Sequence, residues 1–446
     1  MRITKYFFLS ILTLLVGWYS WNHAWAQIAN TKINTSKKIT FKGTLLVASD
    51  ADQIGTAYAD GVINKVAGIE DSLTVLQWSD AGDILKKQLH VSNSVVSWPS
   101  VIAHSPDKKY AYIVETRGVY KGEKQQLKNV WTDMPRGTIV TVVDIRSPQN
   151  PQIVQQIPIG INPKTASVNQ KGDLLLVASQ EKGKEIVLAT LKAGLVDQTY
   201  TFPIEGLSRE GSNGGVNAAE FHPSLDVMAV LKDNRSVVFY QIKRQDGNIQ
   251  IEQIGKDLEA GKVISVGNFT PDGRFFVVAD VSWGDSNLGN VFNGRGYLVS
   301  ILFDEKGAHR LVNKAKVGLS PEGFDISPDG EWAVAVNMRR TYLPKGFPYS
   351  IFAARKLSSL SLVKIDKQTG TLKTLGDEYG FEGELPEDAV FDAESKTIAV
   401  TIYNQRFEAF PKQGYVEFWA LEDNKLVRTA LRVPLTRGCH NLKLVY

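Results

Sequence analysis

Short hydrophobic strands recur along this chain in pairs, and a polar turn such as Ser-Pro-Asp-Gly joins the members of each pair. The clearest copy occupies residues 321–337, with the turn at residues 327–330. Equivalent strands begin at seven positions, spaced 48 to 65 residues apart: Ser100, Lys164, Asn217, Ser265, Glu322, Glu387 and His440. This period suits the four-stranded blades of a β-propeller, so we predict an all-β fold with one blade for each repeat.

The two ends of the repeat predict how the ring closes. The last unit, residues 440–446, supplies one strand only, whereas residues 44–49 have the pattern of a second strand. We therefore predict a shared blade, in which residues 440–446 form the inner strand and residues 44–49, 72–78 and 87–91 form the other three. Closure removes the open sheet edge, and it gives a single seven-bladed β-propeller domain over residues 27–446.

Residues 1–26 have a different character. Arg2 and Lys5 precede an apolar run over residues 6–21, and Ala24-Trp25-Ala26 has the small-residue spacing of a cleavage site. This pattern is typical of a secretory signal peptide. The alternative is an uncleaved membrane anchor, for which the run is short against a span of about 20 residues. We predict an exported protein, periplasmic or secreted, without a membrane span after cleavage.

Charge and cysteine content narrow the classes of partner. The formal charge is +4, and removal of Arg2 and Lys5 lowers it to +2. A nearly balanced chain offers no general footprint for nucleic acid. The single cysteine, Cys439, excludes an internal disulfide. We expect a monomer whose core is large enough to fold without disulfides.

Four predicted connections between second and third strands are long and lie on one face of the ring: residues 117–136, 282–295, 339–357 and 404–413. Their candidate binding residues are Arg117, Trp131, Arg136, Trp283, Arg295, Arg339, Arg340, Tyr342, Arg406 and Phe407. Cations interleaved with aromatic rings can hold a small anionic or planar ligand, or a protein partner of the envelope or the extracellular space. The alternative is that the aromatic rings pack the loops onto the blades while the cations stay solvated.

The starts of the inner strands are predicted to surround the mouth of the central channel on this same face. Further binding candidates are therefore Lys164, Asn217, Glu322, Glu387 and His440. Oxygen ligands on neighbouring blades would suit a divalent cation such as Ca²⁺. The candidates for such a site are Asp50, Asp280, Glu322, Glu387 and Asp388. Alternatively, these carboxylates pair with Lys164 or the loop arginines, and no short ligand-spaced motif supports a metal.

The repeat at residues 320–337 resembles that of the bacterial seven-bladed propellers grouped as YncE-like or lactonase-like, and the likeness covers nearly the whole mature chain. In lactonase-like members a Gly-Pro-Arg-His run enters the inner strand, and the resemblance implies an active site at its Arg and His. Here the best match, residues 215–223, has Asn217 and Ala218 at those places, and the unit at Pro321 has Glu322 and Gly323. The catalytic pair of those relatives is therefore not visible in this sequence.

Two functions remain open on these grounds. The first is an exported propeller that binds a ligand or a protein partner on its loop-rich face without catalysis. The second is a lactonase-like hydrolase, with or without a divalent cation such as Ca²⁺, in which Glu322, Glu387 or His440 supplies the base. Among the six histidines, His440 is the one predicted to lie on the loop-rich face.

Overall fold

The structure, a computed structural model, describes residues 28–79, 81–208, 214–284, 293–344, 356–404 and 410–446. In these ranges, 28 β-strands form seven four-stranded antiparallel sheets arranged in a ring. This is the seven-bladed β-propeller that the repeat predicts. The candidates Arg406 and Phe407 lie outside the described residues.

Each blade consists of four strands that follow one another from the axis outward. Blade 1 comprises β28 (Cys439–Val445), β1 (Thr44–Ser49), β2 (Ser72–Trp78) and β3 (Ile84–His90). Blade 2 comprises β4 (Ile102–His104), β5 (Tyr110–Val114), β6 (Ile139–Asp144) and β7 (Gln152–Pro158). Blade 3 comprises β8 (Thr165–Val168), β9 (Leu174–Ala178), β10 (Ile186–Lys192) and β11 (Leu195–Phe202). Blade 4 comprises β12 (Val216–Phe221), β13 (Val227–Lys232), β14 (Ser236–Gln245) and β15 (Asn248–Glu259). Blade 5 comprises β16 (Ile264–Phe269), β17 (Phe275–Asp280), β18 (Arg295–Leu302) and β19 (Arg310–Leu319). Blade 6 comprises β20 (Pro321–Ile326), β21 (Trp332–Asn337), β22 (Ser358–Ile365) and β23 (Leu372–Phe381). Blade 7 comprises β24 (Ala389–Phe391), β25 (Thr397–Ile402), β26 (Gln413–Glu422) and β27 (Lys425–Thr436).

Strands from the two ends of the chain close the ring. β28 pairs antiparallel with β1, so that Leu442 lies opposite Val47. The inner strands of successive blades contact one another, and β28 contacts both β24 and β4. The predicted shared blade is therefore confirmed, with its outermost strand at Ile84–His90 rather than at residues 87–91. Because seven blades complete the circle, blade 3 lies across the channel from blades 6 and 7.

The Ser-Pro-Asp-Gly turn shows why the inner hairpins form. Ser327 Oγ donates to Asp329 Oδ1 (2.5 Å), and the same oxygen accepts from the amide of Glu331 (2.9 Å). Ser327 Oγ also accepts from the amide of Trp332 (3.0 Å), which starts the returning strand. Gly330 has a φ of 71°, a conformation that a residue without Cβ adopts at little steric cost. These local contacts fix the register of the β20–β21 hairpin at its turn. The opposite ends of the two strands lie on the loop-rich face, where side chains are available for a functional site.

The hydrophobic core consists of layers between neighbouring blades. Val334 and Val336 of β21, for example, pack with Ala389 and Phe391 of β24. Successive side chains of a strand point to opposite faces of its sheet, and both faces are covered by an adjacent blade. The resulting frame holds the starts of the inner strands at fixed positions around the axis.

Two short helices, α1 (Ala57–Asp60) and α2 (Val130–Asp133), lie in the β1–β2 and β5–β6 connections on the loop-rich face. The rings of Tyr58 and Trp131 pack together with 5.2 Å between their centroids, and this contact joins the two connections. Among the described residues, no helix has the length and apolar character that a membrane crossing requires.

Candidate functional site

The inner strands begin with an irregularity that several blades share. In blades 1 and 4, the pairing with the second strand skips His440 and Asn217. In blades 5 and 6, the register shifts across Ser265 and Glu322. A β-bulge of this kind bends the strand and re-aims the side chain of the extra residue. In these four blades, the residues that the repeat aligns at the channel mouth therefore occupy the same distorted position.

Glu322 and Glu387 form the centre of the site. Glu322 lies in β20 of blade 6, and Glu387 lies two residues before β24 of blade 7. They are 5% and 1% exposed, respectively. Among the described residues, neither carboxyl group has a hydrogen-bond partner. The fold thus buries two neighbouring acidic groups without compensating either one.

Burial and mutual repulsion keep this pair protonated. Burial, followed by the charge of Asp388, raises the pKa of Glu322 to about 8. Burial, then Glu322, Asp50 and Asp388, raise the pKa of Glu387 well above its usual value. Strongly interacting carboxyl groups release their protons in two steps that belong to the pair rather than to either residue. At neutral pH the pair therefore holds protons that it can donate.

A layer of apolar and aromatic side chains covers the mouth. The Tyr58 hydroxyl donates to the carbonyl oxygen of Val95 (2.6 Å), and the Tyr403 hydroxyl donates to the carbonyl oxygens of Asp50 (3.1 Å) and Gln53 (2.8 Å). Burial raises the pKa of both tyrosines well above the usual value, so both remain donors. The other members of this layer are Val96, Trp131, Trp283, Met338, Tyr342, Leu343 and Leu385.

Lys164 and Arg117 lie at the start of blade 3 and in the adjoining β5–β6 connection. They are 3% and 7% exposed. The Lys164 ammonium is 5.9 Å from the centroid of the Trp131 ring. Burial, and then the charge of Arg117, lowers the pKa of Lys164 to about 7. Burial, and then Arg136, lowers the pKa of Arg117.

His440 is held in one neutral form. Its Nε2 lies 2.7 Å from Asn93 Oδ1, while Asn93 Nδ2 donates to the carbonyl oxygens of Ser49 (3.1 Å) and Val91 (2.8 Å). Because the amide nitrogen is already engaged, Asn93 accepts through Oδ1, and His440 must carry its proton on Nε2. Burial lowers the pKa of His440 to about 3. The imidazole therefore positions the start of β28 and remains uncharged across the physiological range.

Asp388 and Asp280 have structural partners. Asp388 Oδ2 accepts from Asn441 Nδ2 (2.6 Å) and from the amide of Leu442 (2.8 Å), and Oδ1 accepts from the amide of Ala389 (2.9 Å). Asp280 Oδ1 accepts three backbone amides, those of residues 262, 263 and 282. Both side chains thus satisfy backbone donors at strand ends, and Asp388 also links blade 7 to blade 1.

The carboxylates that could hold a metal are only partly those that the sequence nominates. Among the described residues, one group of three has ligand oxygens within 4.8 Å of one another, namely Asp50, Asp52 and Asp71. Asp50 is the sequence-predicted member. Lys65 Nζ lies 3.8 Å from Asp52 Oδ1, so a cation already faces this group. Asp280, Glu322, Glu387 and Asp388 do not join it.

Arg339 and Arg340, the first two cations of the 339–357 connection, are buried. Arg339 and Arg340 are 1% and 3% exposed. Arg340 Nη2 donates to the carbonyl oxygen of Asn293 (3.2 Å), and burial lowers the pKa of both guanidinium groups, that of Arg339 to about 10. Arg295 forms an ion pair with Glu378 (3.1 Å). These arginines stabilise the loops from within, which limits their access to a ligand.

The aromatic candidates pack the loops onto the ring. Trp283 Nε1 donates to Ser320 Oγ (2.9 Å), and its ring lies 6.1 Å from that of Tyr342. Asn217 is 1% exposed, and its Nδ2 donates to the carbonyl oxygen of Gly214 (3.4 Å). Arg136 is exposed and pairs in an isolated backbone bridge with Arg117. Of the sequence candidates, the structure thus brings together Glu322 and Glu387 on one side of the mouth and Lys164 and Arg117 on the other.

Sequence reasoning missed the β1–β2 connection, residues 50–71. It carries Asp52, Gln53, Tyr58 and Asp71, and it lies on the same face as the other long loops. The length of this connection indicates a functional loop in the same way as the lengths of the other four connections do. Asn93, the partner of His440, gave no signal, because a lone asparagine after a strand is common in turns.

Comparison with known proteins identifies relatives in fold. No protein-family model and no curated protein matches the chain. The periplasmic gluconolactonase of Pseudomonas aeruginosa superposes with a TM-score of 0.63 at 16% identity, over 91% of this chain and 99% of that one. Proteins of Bacteroides uniformis and Bacteroides fragilis, described as 6-phosphogluconolactonases, superpose with TM-scores of 0.60 and 0.61 at 12% and 14% identity. Those two matches cover 91% of this chain and 100% and 98% of theirs. At such identities the likeness shows the fold alone, a seven-bladed β-propeller.

Proposed function

We propose that this protein is an exported hydrolase of small lactones, with the Glu322–Glu387 pair as its acid and base. One observation carries the proposal: the two carboxyl groups are buried, electrostatically coupled and without hydrogen-bond partners among the described residues. This replaces non-catalytic binding as the preferred function. It corresponds to the second of the two functions that the sequence left open.

The acid and base roles are assigned to Glu322 and Glu387 because these two groups lack the hydrogen bonds that nearby acidic side chains receive. Asp388 and Asp280 each accept three hydrogen bonds, which offset part of the cost of burying an acidic group, although the pKa of Asp388 is still raised to about 8. Glu322 and Glu387 receive none among the described residues. Buried groups with perturbed pKa values that the fold does not satisfy are typical of functional sites.

The pair can perform ester hydrolysis without a cofactor. In the singly ionised pair, the carboxylate takes a proton from water, and the water oxygen attacks the lactone carbonyl carbon. The remaining carboxylic acid hydrogen-bonds to the carbonyl oxygen as it becomes negative. The ring C–O bond then breaks, and the acid gives its proton to the departing alkoxide. The product is the open hydroxy acid, which ionises by losing the second water proton. The proton taken from water stays on the carboxyl group that acted as base, and its transfer to the other carboxyl group restores the starting state of the pair.

Two further observations support the assignment. Relatives in fold carry the names gluconolactonase and 6-phosphogluconolactonase, one of them periplasmic. Residues 1–26 have the signal-peptide pattern, which supports export. We group the chain with the lactonase-like rather than the YncE-like propellers for the same reason. The departures at Asn217, Ala218 and Gly323 imply that the acid pair replaces the Arg–His pair of those relatives.

The test is a pH-stat assay of the chain without residues 1–26 on a panel of γ- and δ-lactones. We expect saturable hydrolysis above the spontaneous rate, rising as the pH approaches 8, where the first proton leaves the pair. Glu322→Gln and Glu387→Gln should each lower kcat/KM by about 100-fold, the usual effect of losing a general acid or base. A matched control is Glu185→Gln, since Glu185 accepts backbone amides at residues 183 and 204. Turnover equal to the spontaneous rate would refute the proposal, as would full activity in both Gln variants.

One observation supports a second candidate function, ligand binding without catalysis. A cleft of about 590 Å³ lies along the β5–β6 connection and is lined by residues that include Tyr120, Lys121 and Arg136. Exposed cations beside an aromatic ring suit an anionic or planar ligand. Such binding should be lost in Arg136→Ala and retained in Glu322→Gln.

A further inference from the structure

Two buried cations lie on the opposite side of the ring from the acid pair. Lys164 stands at the start of blade 3, whereas Glu322 and Glu387 belong to blades 6 and 7. Among the described residues, Lys164 forms neither an ion pair nor a side-chain hydrogen bond, although it is only 3% exposed. Its one charge-related contact is with the ring of Trp131, at 5.9 Å.

Arg117 is the second cation. Its Nη1 donates to Asn162 Oδ1 (3.4 Å) and its Nη2 donates to the carbonyl oxygen of Trp131, while Nε is buried without a partner. Among the described residues, no carboxylate forms an ion pair with it. The guanidinium is therefore oriented by neutral acceptors, and its positive charge is not neutralised.

The fold holds these two side chains in place. The Thr116 hydroxyl donates to the carbonyl oxygen of Pro163 (2.7 Å), and the Ser97 hydroxyl donates to the carbonyl oxygen of Lys164 (3.0 Å). Asn162, which receives the Arg117 bond, donates in turn to Gln180 Oε1 (3.1 Å). Side chains from blades 2 and 3 and from the 91–101 connection thus fix the backbone beneath both cations.

Burying two like charges next to each other is unfavourable without an opposite charge. An unpaired buried ion costs several kcal/mol even after relaxation of its surroundings, and a cation–π contact near 6 Å returns about 0.5–2 kcal/mol. Arg428, by comparison, is a buried cation with a counter-charge: its side chain is 3% exposed and forms an ion pair with Glu417. An anion between Lys164 and Arg117 would remove the imbalance.

We propose that Lys164 and Arg117 form an anion subsite, which holds a carboxylate or phosphate group of the substrate while its lactone ring lies against Glu322 and Glu387. The substrate part of this statement rests on the proposed function. Attraction by the two cations favours the anionic group at blade 3, whereas the protonated acid pair offers it no opposite charge. The arrangement therefore orients a lactone that carries an anionic group, and it selects such lactones over neutral ones.

Calorimetric titration with three probes tests the subsite: inorganic phosphate, D-gluconate and D-gluconate 6-phosphate. We expect saturable binding with one site per chain, and at least a tenfold weaker affinity in Lys164→Met and in Arg117→Gln. Binding of phosphate-bearing probes alone assigns a phosphate subsite, and binding of gluconate assigns a carboxylate subsite. Either outcome supports the proposal. No saturable binding of any probe, or unchanged binding in Lys164→Met, overturns it.

Lys232→Met is the matched control. Lys232 ends β13 on the same face, but its ammonium is paired with Asp257 (2.7 Å), so its loss should leave anion binding unchanged. Lys164→Met should also raise the melting temperature, since it removes an uncompensated buried charge, and lost binding with a raised melting temperature cannot result from misfolding. The probes should bind Glu185→Gln as they bind the wild type. Anion binding without lactone turnover would therefore overturn the proposed function alone, and turnover without anion binding would overturn the subsite alone.

Discussion

The carboxylate of Asp388 in blade 7 accepts a hydrogen bond from the side-chain amide of Asn441 in blade 1, with 2.6 Å between Oδ2 and Nδ2. The same oxygen accepts the backbone amide of Leu442 (2.8 Å), and Asn441 Oδ1 accepts the backbone amide of Ile102 in blade 2 (3.0 Å). Three blades are thus joined near the axis by two buried side chains.

A double-mutant cycle on Asp388 and Asn441 should show strong coupling. Asp388→Ala and Asn441→Ala should each lower the free energy of unfolding by about 1–3 kcal/mol, because each leaves buried partners unsatisfied. The double variant should be less destabilised than the sum of the two. Chemical denaturation measures all three values. Strict additivity would mean that the two side chains act independently.

Deletion of residues 439–446 should open the ring. β28 supplies the inner strand of blade 1, so its loss exposes the ladder edge of β1 and the surfaces of β24 and β4 that pack against β28. We expect aggregation or the loss of a cooperative melt, measured by scanning calorimetry and light scattering. Removal of Tyr446 alone is the control, since this residue lies outside the strand. A soluble truncation with the melting temperature of the full chain would contradict ring closure.

Stability should fall as the pH rises from 6.5 to 8. Glu322 and Asp388 have pKa values of about 8 in the fold, and those of Glu387 and Asp71 are raised well above the usual value. The folded state therefore holds protons in this range that the unfolded chain has already lost. Each such proton lowers the free energy of unfolding by about 1.4 kcal/mol per pH unit.

Lys164 has the opposite sign in this window, and so do histidines with lowered pKa values, such as His440, at the lower end of it. The pKa of Lys164 is about 7 in the fold, below its ordinary value, so above pH 7 the unfolded chain binds one proton more and stability rises. The raised carboxyl groups outnumber it, and the net slope remains negative. Melting temperatures measured in steps of half a pH unit test the sign. The slope should be smaller in Glu387→Gln, and a melting temperature that rises from pH 6.5 to 8 would contradict the assignment.

Loss of the Glu417–Arg428 ion pair should lower the free energy of unfolding strongly. The Arg428 Nε–Oε1 and Nη2–Oε2 distances are 2.7 and 3.0 Å, and both side chains are at most 3% exposed. Glu417→Gln should lower the free energy of unfolding by about 3–5 kcal/mol, because it leaves a buried cation without its counter-charge. Glu422→Gln, at a half-exposed pair with Lys37, should change it by less than about 1 kcal/mol. Equal effects in the two variants, read from denaturant midpoints, would argue against this view.

The sequence determined the architecture through local signals. The turn at Ser327 and Asp329 and the paired hydrophobic runs are encoded within about 17 consecutive residues, as in other repeat folds. Each repeat predicts its own blade, and the incomplete units at the two ends predict the β28–β1 pairing. The same alignment also placed Lys164, Glu322, Glu387 and His440 at equivalent strand starts. These predictions succeeded because they depend on period and pattern, which are visible in one dimension.

Only the tertiary structure decided what those residues can do. Glu387 and Asp388 are adjacent in the chain, yet Asp388 is satisfied by Asn441 of another blade and Glu387 has no partner among the described residues. Arg340 and Lys164 are both basic, yet Arg340 donates to the carbonyl oxygen of Asn293 in the neighbouring connection, while Lys164 has no polar side-chain contact among those residues. Burial and partners are set by segments from distant parts of the sequence that meet at the axis. Their energies depend on distances that no local pattern contains.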